Sequence, residues 1–235
     1  MDILDEKTEF DNDQYVSMYA ERALARMEYT KTMVIDIKNE LGPQRVKNTK
    51  KILDIGCGIG DLTACLKEVF TNAEIIGIDC SKAMVNYARK TFTDEKIGFK
   101  ISSIEEFYGK EDDFDLIVSQ YSFGYWDHKK ALPNIQRLLK HDGMGYIRNL
   151  NPEVSQDILN DFASKYCVSD EERNEFISVL RGEKTIDDCR NIFEDYPSLN
   201  ASIRFFSKNS KYNNAAMSSM IKDKMINYNI IIEKR

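Results

Sequence analysis

The chain has 235 residues, of which 42% are hydrophobic and 31% are charged, and its formal net charge is −6. This length suits one α/β domain with a substantial core. The acidic balance, without a Lys/Arg block, argues against nucleic acid as a partner, because phosphate neutralisation supplies much of the affinity of nucleic-acid-binding proteins. No apolar stretch approaches the roughly 20 residues of a membrane span, so no membrane association is expected.

Cysteine usage favours a cytoplasmic location. The five cysteines form no C-x-x-C pair, and an odd number fits free thiols in a reducing compartment. The residues from Met1 to Asp13 are acidic and lack the apolar core of a secretion signal. Cysteine, histidine and carboxylate residues show no metal-ligand spacing, so no metal site is predicted.

Residues 1–49 are predicted to form a helical region before the first strand. One helix is expected to begin near Asp13 and to include Tyr15 and Tyr19. A second helix ends at the Gly42-Pro43 pair. Its apolar face is formed by Val34, Ile37 and Leu41.

The run from Ile52 to Thr63 predicts a strand, a tight turn and the start of a helix. The turn contains three alternating glycines, Gly56, Gly58 and Gly60, and an acid, Asp54, precedes the first of them by two positions. Such turns bring bare backbone amides against a bound ligand. The pattern is not the dinucleotide fingerprint G-x-G-x-x-G, because the sixth position counted from Gly56 is Asp61.

This glycine run resembles motif I of the class I S-adenosylmethionine (SAM)-dependent methyltransferases, and the resemblance extends over residues 50–151. It implies a doubly wound α/β fold: a seven-stranded, mostly parallel sheet with helices on both faces. It also implies SAM as the cofactor and S-adenosylhomocysteine (SAH) as its product. In such a site the glycines let the backbone approach the amino-acid part of SAM, and Asp54 holds its ammonium. The alternative is that the glycines only end a strand.

A second strand, residues 74–79, ends in Asp79, and Ser81 is a good N-cap for the next helix. An acid at the tip of the second strand of a βαβ unit hydrogen-bonds ribose hydroxyls. The resemblance gives Asp79 this role toward the SAM ribose; helix capping is the alternative. The neighbouring cofactor residues are Cys80 and Met84, the latter against the adenine ring or in the core.

The third strand and its loop depart from the family pattern. Where the family commonly has an acid that accepts a hydrogen bond from the adenine amino group, this chain has Ser103. A shifted register offers Glu105 instead. The backbone N–H of Ile104 is expected to serve adenine N1.

The fourth strand, from Phe114 to Gln120, resembles the family run F-D-x-[IV]-x-[SN], so Gln120 is expected beside the sulfonium. An aromatic loop follows, and we predict that it forms a wall for the methyl acceptor through stacking or cation–π attraction. Core packing is the alternative. The predicted wall residues are Tyr121, Tyr125 and Trp126. The candidates for a general base are His128, Tyr121 and Tyr125, each with an alternative role as a wall or surface residue.

After a turn over residues 139–145, the fifth strand is predicted from Tyr146 to Leu150. Asn149 lies at its carboxyl end, where ligands bind in open α/β sheets, and is predicted to face the substrate.

Residues 152–198 exceed an ordinary connection between strands. Three helices are predicted there, beginning at Pro152, Ser169 and Thr185. We expect them to cap the acceptor pocket; a dimerisation arm or simple decoration is the alternative. Residues 199–235 complete the sheet with strands at 202–206 and 228–233, the second antiparallel.

The resemblance also implies that the N-terminal region 1–49 is a lid, with Tyr15 and Tyr19 over the cofactor. The predicted function is methyl transfer from SAM to an N, O or C atom of a small molecule, such as a specialised metabolite. The alternatives are a non-catalytic SAM- or SAH-binding module and a protein or peptide methyltransferase. The oligomeric state is left open between monomer and homodimer.

Overall fold

The computed structural model describes residues 10–153, 155–164, 169–181, 185–205 and 227–234. Within these ranges one sheet contains β1 (Lys51–Ile55), β2 (Glu74–Asp79), β3 (Ile97–Ile101), β4 (Phe114–Gln120), β5 (Leu139–Leu150), β6 (Leu199–Phe205) and β7 (Asn227–Lys234). The strand order is β3-β2-β1-β4-β5-β7-β6. Strands β1 to β5 pair in parallel, and β7 is antiparallel to both of its neighbours. The predicted seven-stranded, mostly parallel sheet is confirmed.

The helices are α1 (Asp13–Glu21), α2 (Ala23–Asn48), α3 (Asp61–Val69), α4 (Lys82–Thr91), α5 (His128–Leu138), α6 (Gln156–Ser164), α7 (Asp170–Arg181) and α8 (Ile186–Glu194), with a 3-10 turn at Phe123–Tyr125. They lie on both faces of the sheet. Successive residues of a strand point to opposite faces, so Ile52 packs under α2 and α3 while Leu53 packs under α5 and α8. Strands covered on both faces read as continuous apolar runs, as β1 and β2 do.

The N-terminal helices differ from the expected pattern at Gly42, which has φ 69° and ψ 167°. The helix breaks there, as predicted, but a further helical segment follows Pro43 and ends at Asn48. Proline fits this position because the first turn of a helix needs no N–H from it. Residues 1–9 of the predicted lid region lie outside the described part of the chain.

Strand β5 begins at Leu139, seven residues earlier than predicted. Leu139 pairs with Phe114 and Met144 pairs with Leu116, so the residues between them form an irregularity inside the ladder. The expected turn is therefore part of the strand. Another boundary differs as well, because α6 begins at Gln156 and the residues around Pro152 form a turn.

The helices after β5 pack in two places, at the carboxyl end of β5 and on one face of the sheet. Helices α6 and α7 pack on Tyr29 of α2 and on the end of β5 through Leu159, Ala163 and Ile177. Helix α8 packs on the face of the sheet that α5 covers, where Cys189 and Phe193 join the core. Thr185 caps α8 in a reciprocal capping box with Asp188.

Arg148 fastens α2 to the sheet beneath this edge. Its side chain is 1% exposed, and its Nη2 lies 2.6 Å from Asp36 Oδ2. The same guanidinium donates to the Tyr29 carbonyl at 3.2 Å and to Asn229 Oδ1 at 3.0 Å. A buried charge needs such partners, and these three tie α2, β5 and β7 together.

The described helices include none with the length and apolarity needed to cross a membrane.

Candidate cofactor and acceptor site

The loop after β1 is shaped by its three glycines. Gly56, Gly58 and Gly60 have φ of 70°, 52° and 94°, a left-handed region that side chains disfavour. A Cβ on Gly56 would lie 2.4 Å from Cβ of Ser122, so this position has no room for a side chain. A Cβ on Gly58 would meet nothing within 4 Å, which leaves space beside the loop.

Asp54 lies beneath this loop and is 1% exposed. Its Oδ2 accepts a hydrogen bond from Thr63 Oγ1 at 2.6 Å. Its Oδ1 has no hydrogen-bond partner among the described residues. Burial raises the pKa of Asp54 to about 7, against the lowering effect of the Thr63 bond. A buried carboxylate oxygen without a donor is suited to a cationic group of a ligand.

Asp79 connects the tip of β2 to the glycine loop. Its Oδ2 accepts the N–H of Gly58 at 2.9 Å, and its Oδ1 accepts the N–H of Ser81 at 2.9 Å. Burial raises the pKa of Asp79, while the N–H groups of Ser81, Gly58 and Cys80 oppose the rise. The N-cap of α4 is Ser81, whose Oγ accepts from the N–H of Met84 at 3.1 Å. Asp79 therefore organises the loop rather than serving as the helix N-cap.

The residues predicted around adenine have different environments. Ser103 Oγ accepts the N–H of Glu106 at 3.3 Å, and Ile104 is 2% exposed in the core. Glu105, the shifted-register alternative, accepts the N–H of Asp127 at 2.7 Å and so holds the start of α5. Met84 is 4% exposed and packs with Val16 and Ile59, whereas Cys80 is exposed.

The segment before α1 lies beside Asp79. Asp11 Oδ1 accepts the N–H of Ala83 at 2.7 Å, and Ser81 Oγ donates to the Phe10 carbonyl at 2.7 Å. Helix α1 then packs on the glycine loop, where Val16 contacts the cluster of Ile59 and Met84. The start of the described chain is thus bonded to the first turn of α4.

Four aromatic rings form a continuous row, which we call the aromatic row: Tyr19, Tyr15, Phe10 and Tyr125. Tyr15 stacks on Tyr19 with ring centroids 6.0 Å apart and an interplanar angle of 22°. Phe10 meets Tyr15 edge-on at 5.4 Å and Tyr125 edge-on at 5.8 Å. The row joins α1 to the loop after β4.

Gln120 ends β4 and Tyr121 follows it, and the side chains of both hydrogen-bond to other elements. Tyr121 has φ 61°, rare for a bulky residue, and its hydroxyl donates to Asn227 Oδ1 at 2.9 Å. Burial raises the pKa of Tyr121 to about 12. Gln120 Oε1 accepts from Thr30 Oγ1 at 3.2 Å. This tyrosine is therefore a poor base in its present environment.

Trp126 and His128 turn toward the core. Trp126 is 5% exposed, its Nε1 donates to Ser122 Oγ at 3.2 Å, and its ring lies 5.2 Å from Phe123. His128 Nε2 lies 3.1 Å from the Phe123 carbonyl. Asn149 is fully buried, and its Nδ2 donates to the Tyr228 hydroxyl at 2.9 Å. The partners named here for these three predicted residues, Ser122, Phe123 and Tyr228, lie outside the aromatic row.

Sequence reasoning missed several residues that shape this edge: Phe10, Asp11, Arg26, Thr63 and Ser122. Thr63 has a sequence signal, because it lies in the first turn of the helix that follows the glycines. The others join the site through contacts distant in sequence, for which no local signal exists. The described residues contain no group of His, Cys, Asp and Glu side chains that could hold a metal ion.

The fold and the site define the class of protein. The sheet order, the glycine loop and Asp79 at the tip of β2 are the features of the SAM-dependent methyltransferase resemblance. The residues fit the cofactor, because the unpartnered Oδ1 of Asp54 suits an ammonium and the space beside Gly58 admits a ligand.

A family model described as a methyltransferase domain matches residues 46–197. The chain therefore belongs to this methyltransferase family, the class I SAM-dependent methyltransferases.

Relatives agree with this assignment. A malonyl-[acyl-carrier protein] O-methyltransferase of Priestia megaterium is 32% identical over 103 residues, which cover 44% of this chain and 37% of that protein. The chain spans less than half the length of the first curated relatives it matches.

Solved structures show the same fold. A putative SAM-dependent methyltransferase of Methanococcus maripaludis has a TM-score of 0.70 at 21% identity, covering 96% of this chain and 94% of that one. The plantazolicin methyltransferase BpumL, solved with a triazolic desmethylPZN analog and SAH, has a TM-score of 0.59 at 18% identity, covering 95% and 100%.

Proposed function

We propose that the protein transfers the methyl group of SAM to an N, O or C atom of a small molecule. The observation that carries this proposal is the aromatic row, which runs from α1 to the loop after β4 and borders the glycine loop. Aromatic faces in this place suit a compact acceptor held by stacking or by cation–π attraction.

Two acidic residues have separate proposed roles in binding the cofactor. The Oδ1 atom of Asp54 takes the ammonium of SAM, and Asp79 takes the ribose hydroxyls from the tip of β2. SAM bound there supplies an electrophilic methyl group on a sulfonium, so the chain needs no nucleophile of its own. Ser103, Ile104 and Met84 remain the proposed neighbours of adenine.

Positioning is the proposed source of catalysis. Helix α1 and the aromatic row cover the glycine loop and exclude water from it. We assign no general base: Tyr121 donates to Asn227 and has a pKa of about 12, and the ring of His128 bonds the Phe123 carbonyl. This environment suits an acceptor whose lone pair is available without proton removal, such as a neutral amine.

We retain the proposed division of the chain into an N-terminal lid (1–49), a SAM-binding core (50–151), a cap (152–198) and the last two strands (199–235). The part of the cap nearest the site is α6 and α7, which pack beside Tyr121 and Leu150. Helix α8 is part of the core instead, because Cys189 and Phe193 are buried under the sheet. Among the wall candidates, Tyr15, Tyr19 and Tyr125 form the row, whereas Trp126 and Asn149 support the walls from the core.

The test uses purified protein, SAM labelled on its methyl group and a host lysate separated into metabolite, protein and RNA fractions. Label in the metabolite fraction, absent with Asp79→Asn protein, supports the proposal. Label in the protein fraction would show that the acceptor is a protein or peptide and not a small molecule. SAM binding by calorimetry without any labelled product, across extracts from several growth conditions, favours the non-catalytic binding module.

A further inference from the structure

Arg26 reaches from α2 to the glycine loop without a role in the site described so far. Its guanidinium carbon lies 3.5 Å from the centroid of the Tyr19 ring. Its Nη2 lies 3.3 Å from Asp61 Oδ2, and the two side chains are 17% and 15% exposed. Asp61 directly follows Gly60, so this arginine links the aromatic row to the first residue of α3.

The start of α3 is suited to an anion. Its N-cap is Gly60, which has no side chain to satisfy the first amides of the helix. Helix N-termini favour negative charge through these amides and the helix dipole. Arg26 places its guanidinium at the same turn, where one of its nitrogens pairs with the Asp61 carboxylate.

A carboxylate suited to a cation is bonded to the same helical turn. Asp54 bonds Thr63 of this same helical turn and leaves its buried Oδ1 without a partner. The charges of Asp61 and Asp79 both act on the Asp54 carboxyl. A buried acceptor for a cation therefore lies beside an arginine and a helix N-terminus suited to an anion. Together they match the two charges of an α-amino acid.

We propose that Arg26 binds the carboxylate at the amino-acid end of SAM and couples its presence to the position of α1 through Tyr19. This inference rests on the proposed function. Arginine suits the task because its planar fork serves two acceptors, here Asp61 and the ligand, while its face stacks on an aromatic ring. Lysine, a single point charge, does not combine these contacts as well.

The test compares two probes by titration calorimetry: SAH, and the SAH analogue with a carboxamide in place of the carboxylate. The proteins are the wild type, Arg26→Met and a matched control, Arg45→Met, in the segment of α2 after Gly42; Arg45 donates to the Asp142 carbonyl at an exposed site. Wild type is expected to bind SAH at least ~10-fold more tightly than the carboxamide, because charge-assisted hydrogen bonds from a guanidinium favour a carboxylate over a neutral amide.

Arg26→Met is expected to weaken SAH binding by roughly 10–100-fold and carboxamide binding by less than about 3-fold. Arg45→Met is expected to leave both affinities unchanged. SAH is also expected to slow hydrogen exchange in residues 13–21 of wild type more than the carboxamide does, and this difference is expected to vanish in Arg26→Met.

If Arg26→Met weakens the binding of both probes equally, the arginine only stabilises the position of α1, and the inference is overturned. Equal affinity of wild type for the two probes overturns it without any variant, including the case in which Arg26→Met does not fold. If the wild type binds neither probe, the cofactor assignment is wrong, and the proposed function fails with it.

Discussion

Two loops at the carboxyl edge of the sheet, after β1 and after β4, meet where Gly56 faces Ser122. The first loop consists mainly of backbone, and its three glycines have left-handed φ values. The N–H of Gly56 donates to the Ile78 carbonyl, and the N–H of Gly58 donates to Asp79. The second loop carries aromatic rings, which lie in two different environments. Phe123 and Trp126 point into the core, while Tyr125 meets Phe10 in the aromatic row.

The difference concerns what each loop requires from the rest of the fold. The glycine loop depends on its own left-handed φ and ψ values and on the adjacent strand β2, whose Ile78 carbonyl and Asp79 carboxylate accept the N–H groups of Gly56 and Gly58. A ring in the second loop has a role only after α1, α5 and α8 are packed. We therefore expect substitutions in the first loop to change cofactor affinity, and substitutions in the second to divide between turnover and stability.

Asp79→Asn is expected to have the largest effect. The proposed role of Asp79 is to accept two charge-assisted hydrogen bonds from the ribose hydroxyls, and their loss is expected to weaken SAM affinity by roughly 100–1000-fold. The control is Asp115→Asn, which removes an acid that binds the N–H groups of Lys50 and Lys51 at the opposite end of the sheet. Calorimetry that finds equal loss of SAM affinity in both variants would show a general effect of removing a carboxylate charge.

Asp54→Asn is expected to remove a pH dependence. A ligand ammonium favours the ionised carboxylate, and the pKa of Asp54 is about 7, so SAH affinity of the wild type rises as pH increases from 6 to 8. The variant binds roughly 10–100-fold more weakly at pH 8 and shows a flat profile.

The stability of the unliganded protein is expected to fall with rising pH, opposite to the rise in SAH affinity. The pKa of Asp54 is raised above its unfolded value, so ionising this buried acid destabilises the fold as pH rises from about 4 to 7. Above that range the penalty is complete. Asp54→Asn is therefore expected to melt at a higher temperature than wild type at pH 8, and a lower melting temperature would contradict the buried charge.

Tyr125 and Trp126 test the division within the second loop. Tyr125→Leu is expected to lower turnover about 10-fold while SAM affinity changes less than 3-fold, because it removes the proposed positioning contact with the acceptor. Trp126→Phe is expected to change stability instead, by about 1–3 kcal/mol, since it leaves Ser122 without its indole donor. Equal changes in turnover for both variants would contradict the division.

Ser122→Ala is expected to have the smallest effect. Its hydroxyl donates to the Ile55 carbonyl, accepts from Trp126 and lies 2.6 Å from Ser119 Oγ, so it joins the two loops. We expect a loss of about 1–2 kcal/mol in unfolding free energy, measured by denaturant titration, with SAM affinity nearly unchanged. A large loss of affinity would show that the two loops act as one unit.

The sequence alone was enough to predict the features whose geometry depends on a few adjacent residues. The three glycines, the acid two positions before them and the N-cap at Ser81 were recognisable because turn and cap preferences depend on a few adjacent residues. The strands followed from apolar runs. The start of β5 did not, since a ladder irregularity opposite Phe114 depends on the neighbouring strand.

The sequence by itself determined the class of fold and the backbone of the glycine loop, because these follow from short-range preferences and periodicity. The tertiary structure alone decided that Trp126 and Asn149 are core residues, that Phe10 and Tyr125 share a row, and that Arg26 meets Asp61. The physical reason is that a side chain takes its partners from whatever elements pack against it. Those elements are distant in sequence.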